Sequence, residues 1–312
     1  MRFTLAAGAA SLALAATAVA QPADITATPV SIVVQPVDTE AVHGFVSSLS
    51  AASPMSGVLA RWSDRICPGV TGTNATMAQA IIDQVARRAN AVGVRAGAPG
   101  CAANLMIIVT NDSDRVAHDL YARRRFSLVT PNGIDGSTLG DAALADFANT
   151  PRPIRWWHVA QSVTADGNAL SDSRGSRIAA GGTAALQETA TGGDSIGAPR
   201  TRSNGTRLQS STRQDLNTVI VIVDTRRMNG APLSAIADYV AFVSLAQVDP
   251  NVNATGYPSI LNLFSAQNAS QRPAGMTDWD IGYLDGLYHA TRTAHSARQQ
   301  ENEIARRMAS SR

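Results

Sequence analysis

Residues 217–248 read NTVIVIVDTRRMNGAPLSAIADYVAFVSLAQV, and this stretch decides the fold class. The continuous apolar run that ends at Val223 is rich in β-branched residues, which predicts a buried strand over 217–224. An Asn-Gly turn signal follows, and apolar residues then recur at helical spacing over 232–248. A buried strand followed by a long helix is typical of a mixed α/β domain.

The same two patterns recur on both sides of this stretch. Helix N-caps are supplied by Asp38 or Thr39, by Thr73 or Asn74, and by the polar run 111–114. Apolar runs or alternation predict strands over 30–37, 104–110 and 154–163. Helical spacing predicts helices over 41–49, 55–62, 74–92, 113–121, 137–147, 277–288 and 292–308.

These elements predict an α/β or α+β fold, as a single mixed domain over 21–290 with a central sheet flanked by helices. Residues 164–215 interrupt it as an irregular Gly/Ser/Arg-rich insertion, with one short strand possible near 177–187. A connection of this length is usually a lid, a binding loop or disordered. Residues 291–312 form a polar helical tail, whose mixed charges predict a solvated or fraying end and not a membrane-surface anchor.

Residues 1–20 have the features of an export signal. Arg2 precedes a long uncharged stretch, and the small-x-small pattern Ala18-Val19-Ala20 predicts cleavage between Ala20 and Gln21. The alternative is a retained membrane anchor, which the alanine-rich composition disfavours. No later apolar run is long enough to span a bilayer as a helix, so we expect a mature periplasmic or secreted chain without a transmembrane segment.

The chain has two cysteines, Cys67 and Cys101. In an oxidising compartment, a single pair predicts a structural disulfide. The alternatives are a metal-binding pair or a nucleophile. A thiolate zinc site needs further ligands, and neither cysteine has a histidine near it in the sequence.

The overall charge argues against nucleic acid as a partner. The net charge is +2, with 26 arginines scattered among 24 acidic residues and no lysine, so bulk charge does not favour binding to a phosphate backbone. The sequence also lacks a nucleophile elbow, a P-loop and a dinucleotide-binding glycine motif after a strand. We therefore predict no cofactor.

Two acidic positions are candidates for chemistry. Asp224 ends the strongest predicted strand, where many α/β enzymes place a metal-binding or nucleophilic carboxylate, although a turn residue explains it equally simply. Asp112 and Asp114 follow another predicted strand and resemble the acidic pairs that hold divalent cations, but helix capping explains both. No histidine pair has the spacing of metal ligands, so packing or surface roles are expected for His43, His118, His158, His289 and His295.

The C-terminal third has a further pattern. After the long helix come Ser259-Ile260-Leu261 and then a segment from Thr277 to Tyr288 that starts Thr-Asp-Trp-Asp and ends Gly-Leu-Tyr. This order of elements resembles the catalytic part of metzincin zinc peptidases. The resemblance implies that 259–261 is the Met-turn below the metal and that 277–288 is the closing helix.

The metal ligands that this resemblance requires are missing. On the long helix the metzincin zinc motif falls on 237–247, which places Ala237, Ala241 and Gln247 at the three histidine positions and Asp238 at that of the general-base glutamate. Alanine cannot coordinate zinc, so a zinc-bound water cannot form there. The resemblance therefore implies a degenerate, inactive scaffold, and an unrelated α/β domain is the alternative.

Three functions remain open from the sequence. The leading hypothesis is an exported non-catalytic module that binds a protein or glycan partner or another envelope component. An inactive relative of metzincin peptidases is one form that such a module could take. The second is a periplasmic hydrolase whose site is assembled from dispersed residues, with candidates Asp112, His118, His158, Asp224 and Asp238. The third is a structural envelope component without a small ligand.

Overall fold

The computed structural model describes residues 38–54, 56–123, 136–137, 139–168, 209–265 and 272–311. Val37–Arg312 forms one compact unit. The predicted cleavage site and the predicted strands over 30–37 and 177–187 lie outside the described residues. Within them, the predicted mixed α/β fold with a central sheet flanked by helices is confirmed.

Seven strands and seven α-helices are present in the described ranges. The strands are β1 (Arg65–Ile66), β2 (Pro68–Thr71), β3 (Arg95–Ala96), β4 (Leu105–Thr110), β5 (Gly136–Ser137), β6 (Ile154–Thr164) and β7 (Thr212–Asp224). The helices are α1 (Thr39–Leu49), α2 (Ala75–Ala91), α3 (Ser113–Ala122), α4 (Asp141–Asn149), α5 (Leu233–Leu245), α6 (Asp278–His289) and α7 (Ala297–Ser310). Short 3₁₀ turns cover Thr225–Arg227 and Ile260–Leu263.

The central sheet has the strand order β2-β4-β7-β6-β5. Strands β2, β4 and β7 are parallel, while β6 runs antiparallel to β7 and β5 antiparallel to β6. The register places Thr110 at the end of β4 opposite Asp224 at the end of β7. The loops that follow these two strands therefore leave the sheet side by side.

Side chains that alternate along the strands fill two separate cores. Val219, Val221 and Val223 face a large core that includes α1, α2, α5, α6 and α7. Ile220 and Ile222 face a smaller core under α3 and α4. Helix α5 is buried along almost its whole length, so it is a core helix and has no solvent-facing stripe.

The predicted helix caps explain where three helices begin. The side chains of Asp38, Asn74 and Asp112 accept hydrogen bonds from the backbone N–H groups of the first turns of α1, α2 and α3. Helix α2 ends before Gly93, which has a φ of 80°. Glycine adopts this left-handed conformation without steric cost, so it terminates the helix as its position suggests.

Three local predictions need correction. Of the helix predicted over 55–62, residues 56–62 are described and are not helical, and the N–H groups of Leu59 and Ala60 donate to distant glutamine side chains. Helix α4 covers 141–149 and not 137–147. Strand β7 begins at Thr212, so the last residues assigned to the irregular insertion belong to the sheet.

The tail helix is also more integrated than its charges suggest. Helix α7 buries Ile304 and Met308 completely and packs against α1 and α6. A Cβ atom on Gly286 would lie 3.0 Å from the Ile304 Cα atom, so the absence of a side chain at 286 lets α6 and α7 approach closely. Residues 297–310 are therefore part of the core on this side and not a fraying end.

Cys67 and Cys101 form the predicted disulfide. It links the segment before β2 to the loop before β4, two strands that are neighbours in the sheet. Of the helices in the described ranges, none combines the length and the apolar character needed to cross a membrane.

Candidate functional site

The carboxyl edge of the sheet is the natural place to look for a site. Strands β4 and β7 are parallel neighbours, but α3 after β4 packs on the smaller core and α5 after β7 packs on the larger one. Ligands of open α/β sheets bind in the crevice that opens where neighbouring strands send their helices to opposite faces. Seven polar residues meet at this edge and are called the carboxyl-edge cluster: Asp112, Ser113, Asp114, Arg155, Asp224, Arg226 and Arg227.

Asp224 is the buried centre of this cluster. Its side chain is fully buried, accepts a 2.7 Å hydrogen bond from the Ser113 hydroxyl and a 2.9 Å bond from the Arg226 backbone N–H, and forms an ion pair with Arg227. Burial by itself would raise the pKa of this carboxyl. The Ser113, Arg226 and Arg227 donors outweigh burial and hold the pKa of Asp224 below its usual value.

Asp114 is held by two arginines. Arg227 Nη2 lies 2.7 Å from its Oδ2 atom, and Arg155 binds its other oxygen. The hydrogen bonds from Arg227 and Arg155 lower the pKa of Asp114. Arg155 is 1% exposed and also donates to the Thr150 carbonyl at 3.0 Å and to Ser113 Oγ at 3.1 Å. This buried cation therefore joins α3 to the start of β6.

Asp112 is the most loosely held of the three carboxylates. It caps α3 by accepting a 3.3 Å hydrogen bond from the Arg115 backbone N–H, its Oδ2 accepts a 3.2 Å bond from Arg115 Nε, and Arg226 Nη2 lies 3.8 Å away. Arg226 also lies 4.0 Å from Asp224 Oδ1, so it bridges the ends of β4 and β7. Three carboxylates and three guanidinium groups thus balance in charge, and the arginines occupy the space between the acids.

The other dispersed candidates lie elsewhere. Asp238 on α5 accepts hydrogen bonds from Arg88 Nε at 2.8 Å and from Arg88 Nη2 at 2.7 Å. It also accepts the Met276 backbone N–H at 2.9 Å. Burial would raise the pKa of Asp238, but these donors hold it below its usual value. The residue therefore ties α2 to the segment before α6. His118 is exposed, six residues along α3 from Asp112.

His158 is a core residue. Its side chain is buried on β6, and Nε2 lies 2.7 Å from the Val243 carbonyl oxygen. Burial lowers the pKa of His158 to about 4, although backbone carbonyls partly oppose the shift. The imidazole is therefore neutral at physiological pH. Of the five dispersed candidates, the fold brings Asp112 and Asp224 together and keeps the two histidines and Asp238 apart from them.

The positions of the zinc motif lie inside the large core. Ala237, Ala241 and Gln247 are each at most 2% exposed. The Gln247 side-chain oxygen accepts a 2.8 Å hydrogen bond from the Ala60 backbone N–H. These three positions therefore serve packing and a structural hydrogen bond, and they are not open to a water molecule or a substrate from solvent.

Sequence reasoning missed Asp280, a buried carboxylate of α6 that accepts several hydrogen bonds. It accepts hydrogen bonds from the Ser259 hydroxyl at 2.6 Å, the Ile260 N–H at 2.7 Å and the Thr277 N–H at 2.8 Å. Burial raises the pKa of Asp280, and these donors only partly oppose the shift. The signal was available, because Thr277 and Asp280 have the spacing of a helix capping box.

A groove of about 750 Å³ runs along the outer side of α6. Trp279 and Ile281 line it together with Asp278 and Asp285, and Ile281 is 43% exposed. The residues that line it include neither histidine nor cysteine.

In the part of the chain that the structure describes, no group of three or more His, Cys, Asp or Glu side chains is placed to hold a metal ion. Comparison of the chain with family models, with curated proteins and with solved structures gave no match.

Proposed function

We propose that the mature chain is an exported, non-catalytic binding protein of the periplasm or the extracellular space. One observation carries this proposal. At the carboxyl edge, where an α/β enzyme would place its reactive carboxylates, Asp112, Asp114 and Asp224 all interact with arginines.

Paired carboxylates of this kind are poor acid–base catalysts. A general acid or base works best when its pKa lies near the operating pH, and the pKa values of Asp114 and Asp224 are held below the usual carboxyl range. Ser113 is fully buried and donates its hydroxyl hydrogen to Asp224, so it is not an accessible nucleophile. Arginine remains protonated and cannot accept a proton.

Export is supported by the disulfide and by the N-terminal pattern. The Cys67–Cys101 bond is compatible with an oxidising compartment. The Arg2 start and the Ala18-Val19-Ala20 pattern match a cleavable signal peptide. Descent from a metzincin scaffold stays part of the proposal, and it rests on the order of elements in the C-terminal third alone.

A hydrolase is the second candidate, because the fold does bring Asp112 and Asp224 to one edge. The first experiment is elemental analysis of the mature protein, purified from periplasm without chelators, together with a panel of ester, peptide and glycoside substrates. We expect no stoichiometric metal and no turnover. Turnover that is lost in Asp224→Asn and retained in the exposed control Asp119→Asn would overturn the proposal.

Binding is tested directly with the same preparation. Mature protein is immobilised and exposed to an envelope extract, with chemically unfolded and reduced protein as the matched control. We expect a partner that is retained by the native protein alone. Recovery of nothing above the control would count against a binding function and leave a structural role.

A further inference from the structure

A second charged group lies at the other end of β7. Arg213 forms an ion pair with Asp215, and Arg61 and Arg292 lie near enough for that carboxylate to oppose in part the lowering of their pKa values by burial. These four residues are called the arginine cluster. Asp215 is nine residues before Asp224 on the same strand, a separation of about 30 Å. The arginine cluster is therefore distinct from the carboxyl-edge cluster.

Backbone carbonyls and Asp215 hold the three guanidinium groups. Arg213 forms a fork on Asp215, with Nε–Oδ1 at 3.1 Å and Nη2–Oδ2 at 3.0 Å. Arg61 donates to the Leu287 carbonyl and, at 2.8 Å, to the Ala290 carbonyl at the end of α6.

Arg292 reaches the cluster from the segment after α6 and binds the chain beside Arg61. Its Nη2 donates at 3.2 Å to the carbonyl of Trp62, the residue after Arg61, while Arg61 donates to Ala290, two residues before Arg292. Each of these two arginines therefore binds a backbone carbonyl that lies next to the other arginine in the chain. These bonds bring the two positive charges close together.

The charges in this cluster do not balance. Among the residues that the structure describes, three cations lie near one carboxylate, and the side chains of Arg213 and Asp215 are 13% and 9% exposed while Arg61 is 5% exposed. The carbonyl end of α6 offsets part of the charge of Arg61. Burial, and then the charge of Arg292, lowers the pKa of Arg61 to about 10, and burial followed by the charge of Arg213 lowers the pKa of Arg292. Buried charges of one sign are costly unless an opposite charge compensates them.

We propose that the arginine cluster binds an oxyanion, either a small free anion or an acidic group on a larger ligand. Arg292 is half-buried, and of its five N–H groups one donates a hydrogen bond within the described residues. In that part of the chain the other N–H groups are available to a ligand from solvent. A guanidinium fork matches the paired oxygens of phosphate or carboxylate groups. This inference rests on the proposed binding function, for which it names the ligand chemistry.

The test is thermal unfolding of the mature protein in increasing inorganic phosphate, with sodium chloride holding the ionic strength constant. We expect a melting temperature that rises and saturates, and an apparent phosphate affinity at least tenfold weaker in Arg292→Gln. The matched control is Arg298→Gln, an exposed arginine on α7, which should behave as wild type. Circular dichroism verifies that both variants are folded.

The second arm replaces phosphate with a short polyglutamate peptide. A response to phosphate alone assigns the site to a small anion, and a response to the peptide assigns it to acidic groups of a partner. A shift that never saturates, or one that Arg292→Gln retains, indicates general salt stabilisation and overturns the site. That outcome leaves the proposed function standing, since the envelope-binding experiment tests it separately.

Discussion

Replacement of Asp280 by asparagine is the sharpest test of how the C-terminal third is held together. Asp280 connects the start of α6 to the turn that carries Ser259 and Ile260 by accepting the Ser259 hydroxyl and the Ile260 N–H, and it also accepts the N–H of Thr277 at the cap of α6. Asn is nearly the same size, so Asp280→Asn changes the hydrogen bonding and the charge with little change in packing. Asp278→Asn is the matched control, because Asp278 is an exposed carboxylate in the same helical turn.

The expected loss follows from the bonds that Asn breaks or weakens. Oδ2 of Asp280 accepts the Ile260 and Thr277 N–H groups, and Oδ1 accepts the Ser259 hydroxyl. Asn can keep both N–H bonds by placing its oxygen at Oδ2, but its NH₂ group then stands at Oδ1 and the Ser259 hydroxyl loses its acceptor. The bonds that remain are no longer made to a charged acceptor. Burial raises the pKa of Asp280, so the removal of a buried charge offsets part of the loss. We therefore expect Asp280→Asn to lower the free energy of unfolding by roughly 1–3 kcal/mol.

Urea unfolding monitored by tryptophan fluorescence and by circular dichroism measures this difference. Asp278→Asn should lose at most about 1 kcal/mol, the value of an acidic residue near a helix N-terminus. Equal stability of Asp280→Asn and Asp278→Asn, or a loss below about 0.5 kcal/mol in the former, would refute the reasoning, because surface substitutions have effects of that size.

Three further predictions concern His158, the carboxyl-edge cluster and the disulfide. Because burial lowers the folded pKa of His158 to about 4 from 6.5, the folded state binds fewer protons, and stability should fall by ~3 kcal/mol as pH drops from 7 to 4. A His158→Gln variant should lack that slope in pH-dependent unfolding. Arg155→Met should lose about 2–4 kcal/mol in urea unfolding, whereas the control Arg298→Met, at an exposed arginine of α7, should lose less than about 0.5 kcal/mol; equal losses would contradict the carboxyl-edge network. Replacement of Cys67 and Cys101 together by serine should cost about 3–4 kcal/mol, and unchanged thermal unfolding of that variant would contradict a structural disulfide.

Elements with local determinants could be predicted from the sequence. The caps at Asn74 and Asp112 and the apolar run of β7 depend on residues a few positions apart, so their signals survive in the sequence. The helix predicted over 55–62 is wrong for residues 56–62, because two of their N–H groups are satisfied by Gln247 and Gln300, acceptors 187 and 241 positions away. Those long-range bonds favour an irregular path over the helix that the local spacing suggests.

In the candidate site, too, the local features could be predicted from the sequence and the long-range contacts could not. The end of β7 was identified as a place for chemistry, and Asp224 does lie there, but its pairing with Ser113 crosses 111 residues and depends on a strand register that one sequence does not reveal. The rule that a buried charge needs an opposite charge beside it could have identified more of the carboxyl-edge cluster. Arg155 stands in the apolar run of β6, and a cation that is buried in a sheet needs an acidic partner nearby.

The same rule distinguishes the two ends of β7. At the carboxyl edge, the buried cation Arg155 has its counter-charge in Asp114, and the cluster is balanced within the chain. At the other end, Asp215 neutralises one arginine, and the contacts of Arg61 and Arg292 among the described residues are with backbone carbonyls and, for Arg61, with the ring of Tyr288. Since the helix dipole supplies roughly half an elementary charge at a terminus, an external oxyanion is the simplest way to restore balance there. Charge balance therefore favours the arginine cluster as the ligand site over the carboxylates at the ends of β4 and β7, which the sequence suggested.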